Sequence, residues 1–179
     1  MKTYSRERPE VVQTLGSKRI VNFNVKEVTV TDNEGEESVQ YEFNTATFSI
    51  YDENILDALK KVVVNEVNKS TSGEILEGFW FQDRHYSYDI FDQTNFSDTF
   101  NMVTVLKSVG ADVGTLQWNS YVDKDHKQIE VQTLDEEKFI ALYTQGALIH
   151  KQNVMAKSSA AKEAIKAAKT VEEVVSVTF

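Results

Sequence analysis

From Ile20 to Val30 apolar and polar residues alternate, as they do along a strand with one face on a core. Val21, Phe23 and Val25 share one parity and Val28 and Val30 the other. The phase slips at Lys26–Glu27, where a bulge is expected to re-aim the strand. "TDNEGEES" (31–38) is a turn in which Gly35 supplies freedom at positive φ. "VQYEFNTATFSIY" (39–51) returns as a second strand, with its own change of parity between Phe43 and Phe48. The two form a long twisted hairpin. Asp52 is placed to cap a helix whose apolar positions Ile55, Leu56, Leu59, Val62, Val63 and Val67 recur at helical spacing. "KSTSGE" is expected to end that helix near Asn68.

The aromatic stretch 75–91 predicts one or two short strands. Phe96, Phe100, Val103 and Leu106 then predict a helix closed at Gly110. Short strands over 118–122 and 129–132 are joined by "DKDHKQ", and Thr133 with Glu136 has the form of a capping box. A long helix is expected from about Leu134 to about Lys169, followed by a short turn of helix from Thr170. Phe139, Leu142, Gly146, Ile149, Asn153, Ala156 and Ala160 fit an alternating spacing of three and four, a weak coiled-coil seam. Ala160, Ala161, Ala164, Ala167 and Ala168 would let another helix approach closely. The predicted class is α+β. Residues 1–19 are an extended basic arm, 20–69 a hairpin–helix unit, and 70–179 a mixed unit ending in the long helix.

Charge sharpens this picture. The 179-residue chain is 41% hydrophobic and 26% charged, with a net charge of −9, which speaks against nucleic acid as its main partner. Residues 1–19 run the other way, with Lys2, Arg6, Arg8, Lys18 and Arg19 against Glu7 and Glu10. Arg6, Arg8, Lys18 and Arg19 are therefore candidate contacts for an acidic partner, with another copy of the chain in view. Phe139, Leu142 and Ile149 are candidate contacts on the long helix. No apolar run is long enough to span a membrane, the first residues have no secretory apolar core, and with no cysteine there is neither a disulfide nor a thiolate metal site.

Candidate chemistry is sparse. Counting a calcium loop from Asp123 puts Asp125 third, but Gln128 falls where glycine is needed and Leu134 where the last carboxylate is needed. One histidine, His126, beside Asp125 does not make a zinc site. The segment reads as a solvated hairpin tip. "DRHYSYD" places His85 near Asp83 and Asp89, yet no nucleophile or phosphate-loop motif accompanies it, and a polar strand edge is the expectation. Trp80, Tyr86 and Tyr88 lie in a dense aromatic run that is either core or a platform for sugar rings. No catalytic residue, metal or cofactor is predicted.

Trp118, Leu134–Asp135–Glu136, Phe139, Leu142, His150–Lys151–Gln152 and the closing stretch Ala164 to Val174 form a pattern of their own. Over residues 75–179 it resembles an uncharacterised domain of bacteriophage tail-region proteins, and the first hairpin and helix resemble small virion proteins. The resemblance implies a structural or adaptor subunit of a virion, near the tail or baseplate and assembled in the host cytoplasm. Its partners would be other virion proteins and further copies of itself. The alternatives are a carbohydrate- or receptor-binding module using Trp80, Tyr86 and Tyr88, and a tail-fibre assembly chaperone.

Overall fold

The structure, a computed structural model, describes residues 2–31, 33 and 35–179; the predicted turn at 31–38 includes Asp32 and Glu34, which lie outside them. The fold is α+β, with two four-stranded antiparallel sheets and helices. The chain forms two compact units, one of Met1–Asn68 with Ser158–Phe179 and the other of Lys69–Lys157.

In the first unit β1 (Lys2–Ser5), β2 (Val12–Leu15), β3 (Lys18–Thr31) and β4 (Glu37–Ser49) are ordered β1-β4-β3-β2. The expected extended arm is thus largely built into the sheet as its two edge strands. Lys2 forms an ion pair of 2.9 Å with Glu42, and β2 pairs with β3 from Val12↔Val21 to Leu15↔Lys18. Runs of only four residues are too short for alternation to reveal them. The hairpin β3–β4 is present, and its bulge lies a little earlier than the apolar phase suggests. Phe23 pairs with Asn44 and Lys26 with Glu42, leaving Asn24 and Val25 opposite the single Phe43. Asn24 has φ 53°, a conformation that asparagine tolerates better than most side chains, so the kink forms there.

One face of this sheet packs Val21, Phe23 and Ala46 on Leu59, Val63 and Val67 of helix α1 (Ile55–Leu76). The same core takes Ala161, Ile165 and Ala168 from α4 (Leu148–Ala167) and the residue after it, and Val174 from α5 (Val171–Val175). Residues 158–179 accordingly belong with the first unit, not with the second as expected. Helix α1 also runs through "KSTSGE" to Leu76. Thr71 is buried there and Lys157 pairs with Glu74 at 2.6 Å, which together offset the helix-propensity cost of about 1 kcal/mol at Gly73.

The second unit holds β5 (Phe79–Phe81), β6 (Arg84–Tyr86), β7 (Leu116–Tyr121) and β8 (Ile129–Leu134), in that spatial order. Gln82 and Asp83, at φ 48° and 61°, close the β5–β6 hairpin as a two-residue turn with both φ values positive. Helix α2 (Ile90–Ser108) starts with a reciprocal capping box between Asp89 and Asp92. The core gathers Phe79, Tyr86, Tyr88, Phe96, Val103, Leu134, Phe139 and Leu142.

The long helix begins as α3 (Glu136–Ala141), capped by Asp135 and not by Thr133, which is still in β8. It then widens into a π-helical segment, Leu142–Ala147, before α4. Gly146 lies in that segment, where a Cβ would come within 2.6 Å of the Phe79 ring; glycine lets β5 reach the helix. The wider turn absorbs an extra residue and shifts the buried stripe. Beyond it the buried positions are Val154, Ser158, Ala161, Ile165 and Ala168. The predicted seam at Ile149, Asn153, Ala156 and Ala160 is exposed instead. Among the described residues no helix is long and apolar enough to cross a membrane.

Candidate interaction site

The second sheet carries a row of residues in cross-strand register: Trp80 of β5 opposite His85, His85 of β6 opposite Tyr121, and Tyr121 of β7 opposite Ile129 of β8. His85 is 1% exposed, whereas Trp80 is 54% exposed and meets the imidazole in an edge-on contact with 5.3 Å between centroids. The loop 122–128 supplies the rest. His126 adopts φ 56°, stacks on the Tyr121 ring with 3.8 Å between centroids, and sets its Nε2 2.8 Å from His85 Nδ1. Lys124 of the same loop reaches Glu77 at 2.7 Å, and Asp123 Oδ1 accepts the Lys127 amide.

Two segments that look unrelated along the chain therefore meet. "DRHYSYD" is not a polar strand edge at His85, because β6 is an inner strand and the ring is covered. "DKDHKQ" is a hairpin tip, as expected, but it folds so that one side chain closes over the sheet. Burial pushes the His85 imidazole below its ordinary range; the charge on a protonated His126, then Lys124 and His150, act in the same direction, and Asp123 opposes them. The sequence signal was faint: two histidines 41 positions apart, each next to an aromatic-rich strand. Among the described residues no three His, Cys, Asp or Glu side chains are grouped to hold a metal ion.

β8 is an edge strand, and its residues on this same face are Ile129, Val131 and Thr133, the first two 59% and 60% exposed. Its neighbour on the inner face, Glu130, is turned to an ion pair of 2.9 Å with Arg84. The edges of the first sheet are guarded differently: β1 carries Lys2 and Tyr4, both engaged with Glu42, and β2 is four residues long.

The remaining predicted contacts divide. Phe139 and Leu142 are 0% and 1% exposed, packed in the core of the second unit, so they cannot meet a partner. Ile149 is 45% exposed. Tyr86 and Tyr88 are buried, packed on Phe79 with 5.6 Å between centroids in each case, and burial raises both phenols above their usual range. The alternative of a sugar platform is thereby reduced to Trp80, and Tyr86 and Tyr88 are core. Arg6 and Arg8 are exposed in the loop from β1 to β2, Lys18 is exposed, and Arg19 is half-buried in β3. That loop lines a cleft of about 770 Å³ with Ser5, Arg8, Pro9, Asn22, Phe43 and Thr45 among its walls. It is tied down where Asn22 Nδ2 donates to the Glu10 carbonyl at 2.8 Å.

Comparison with known proteins turns on the later part of the chain. A family described as Domain of unknown function (DUF4376) matches residues 58–178. The chain belongs to that family. The DUF4376 region begins inside α1, takes in the whole second unit with the histidine pair and β8, and leaves the strands of the first sheet outside. Neither a curated protein nor a solved structure matches the chain.

Proposed function

We propose that the chain is a structural or adaptor subunit that acts through protein–protein contacts in a multi-copy assembly. The bacteriophage particle implied by the sequence resemblance is its setting. The observation that carries this reading is β8, an edge strand that presents Ile129 and Val131 to solvent without a charge on that face. Natural sheets protect such an edge or use it, because its unpaired backbone groups accept a strand from another chain and the apolar side chains add contact area. Exposed Trp80 extends the same face, and Ile90 and Phe91 at the start of α2 add further exposed apolar surface on the same unit.

The test is light scattering coupled to gel filtration on the full chain and on Val131→Lys, over a wide concentration range. Because Val131 is exposed, the substitution leaves the fold intact by circular dichroism. The expected result is a wild-type mass that grows with concentration and a variant that stays at the monomer mass. Two monomers that behave alike, combined with unchanged incorporation of the variant into particles, would remove β8 as the contact and with it the support for this reading.

A further inference from the structure

We propose that His85 and His126 form an acid-sensitive latch that holds the 122–128 loop on β6 and releases it when the pair takes up two protons. This goes beyond the assembly role and does not depend on it. The geometry sets the rule. At 2.8 Å the facing nitrogens share one hydrogen: one ring donates its N–H and the other accepts through its lone pair. One added proton turns this into an N–H⁺···N bond, and the contact survives. A second leaves N–H facing N–H with no lone pair between them, and the bond is lost.

The surroundings determine which state is held. From β5 the His85 ring meets Trp80; from β7, Tyr121 stacks on His126. The loop itself brings Asp123, which favours a charge on His85, and Lys124, which opposes it while paired to Glu77. Asp125 is taken by Lys127, Arg84 by Glu130, and His150 of α4 adds a further opposing charge when protonated. Among the described residues Asp123 is the carboxylate that supports a cation at His85, against burial and three cationic neighbours. The closed loop therefore refuses a proton that the open loop accepts. For a base whose value is depressed in the closed state, the latch is fully effective above the ordinary histidine value of about 6.5. It weakens as pH falls below that value, until the closed pair itself protonates.

Three amides report on the loop: Val122 N–H on the Gln128 carbonyl, His126 N–H on the Asp123 carbonyl, and Lys127 N–H on Asp123 Oδ1. The experiment is hydrogen exchange by NMR on the full chain from about pH 7.5 to about pH 5, which brackets the histidine range. Rates are corrected for intrinsic exchange. Protection at these amides is expected to fall by up to about tenfold per pH unit below about 6.5, the limit for one proton. Protection at Val103 in the core should not change. In His126→Asn, which keeps a side chain tolerant of positive φ, protection should be low throughout and independent of pH. Flat protection in the wild type, or an equal slope in His126→Asn, overturns the latch. Imidazole ¹⁵N shifts give a second reading that needs no variant: if both rings become protonated while the loop amides stay protected, the proposal fails.

Discussion

Phe139 separates two descriptions of the long helix, one in which its apolar residues wait for a partner and one in which they are already spent inside the second unit. The ring is fully buried, 5.3 Å from the Trp118 ring centroid and 6.2 Å from that of Phe96. Truncation to alanine removes buried area and both aromatic contacts and leaves a cavity, a change that costs about 3–5 kcal/mol. With a urea dependence of about 2 kcal/mol per molar, a loss near 4 kcal/mol lowers the unfolding midpoint by about 2 M. Both tryptophans, Trp80 and Trp118, lie in the second unit, so intrinsic fluorescence during a urea titration reports on that unit directly. Ile149→Ala serves as the comparison. Its side chain is 45% exposed, and the loss there should be below about 1 kcal/mol. If Phe139→Ala unfolds within about 1 kcal/mol of wild type, at an unchanged slope, the ring is not core and the assignment of α3 to the second unit is wrong.

Two further perturbations probe local geometry. Gly78→Ala adds a Cβ 2.1 Å from the Tyr86 carbonyl oxygen at a residue with φ 85°; left-handed strain and the clash with the β6 backbone should together cost about 2–4 kcal/mol, and a midpoint within error of wild type would show that the β5–β6 hairpin shifts freely. Asp89→Ala removes the carboxylate that accepts the Asp92 amide at 2.9 Å and should cost about 1 kcal/mol in a urea titration, with Asp89→Asn recovering most of it; equal losses in the two would assign the effect to something other than the cap.

The elements written in long periodic runs were legible in the sequence. The β3–β4 hairpin alternates along both strands with one change of parity in each, and α2 shows its apolar repeat and its glycine stop. What escaped had a physical cause in each case. β1 and β2 are too short to show a period, and α1 overran its expected stop because burial of Thr71 and an ion pair at Glu74 outweighed local propensity. The seam along the long helix was misplaced by the π segment, since one absorbed residue turns every later position by about 100° and no local sequence rule announces it. The histidine pair was invisible for a different reason. One half lies on β6 and the other in the loop between β7 and β8, and only sheet register and the left-handed backbone at His126 bring them together. Aromatic density near residue 80 pointed correctly to a core, but could not say that Trp80 alone would face outward.

The division of the first unit into Met1–Asn68 and Ser158–Phe179 sets an order of events on the ribosome. Residues 69–157 can complete their own core once they have emerged, because everything that core needs lies within one continuous stretch. The sheet that is synthesised first cannot: Ile165 and Val174, both 0% exposed, are still to be translated when its strands leave the tunnel. At about 5–20 residues per second that interval lasts several seconds, during which Val21, Phe23 and Leu59 have only each other and water for neighbours. A released chain ending at residue 157 should therefore hold a finished second unit and an unfinished first one, and the first sheet is the part that most needs a chaperone during synthesis.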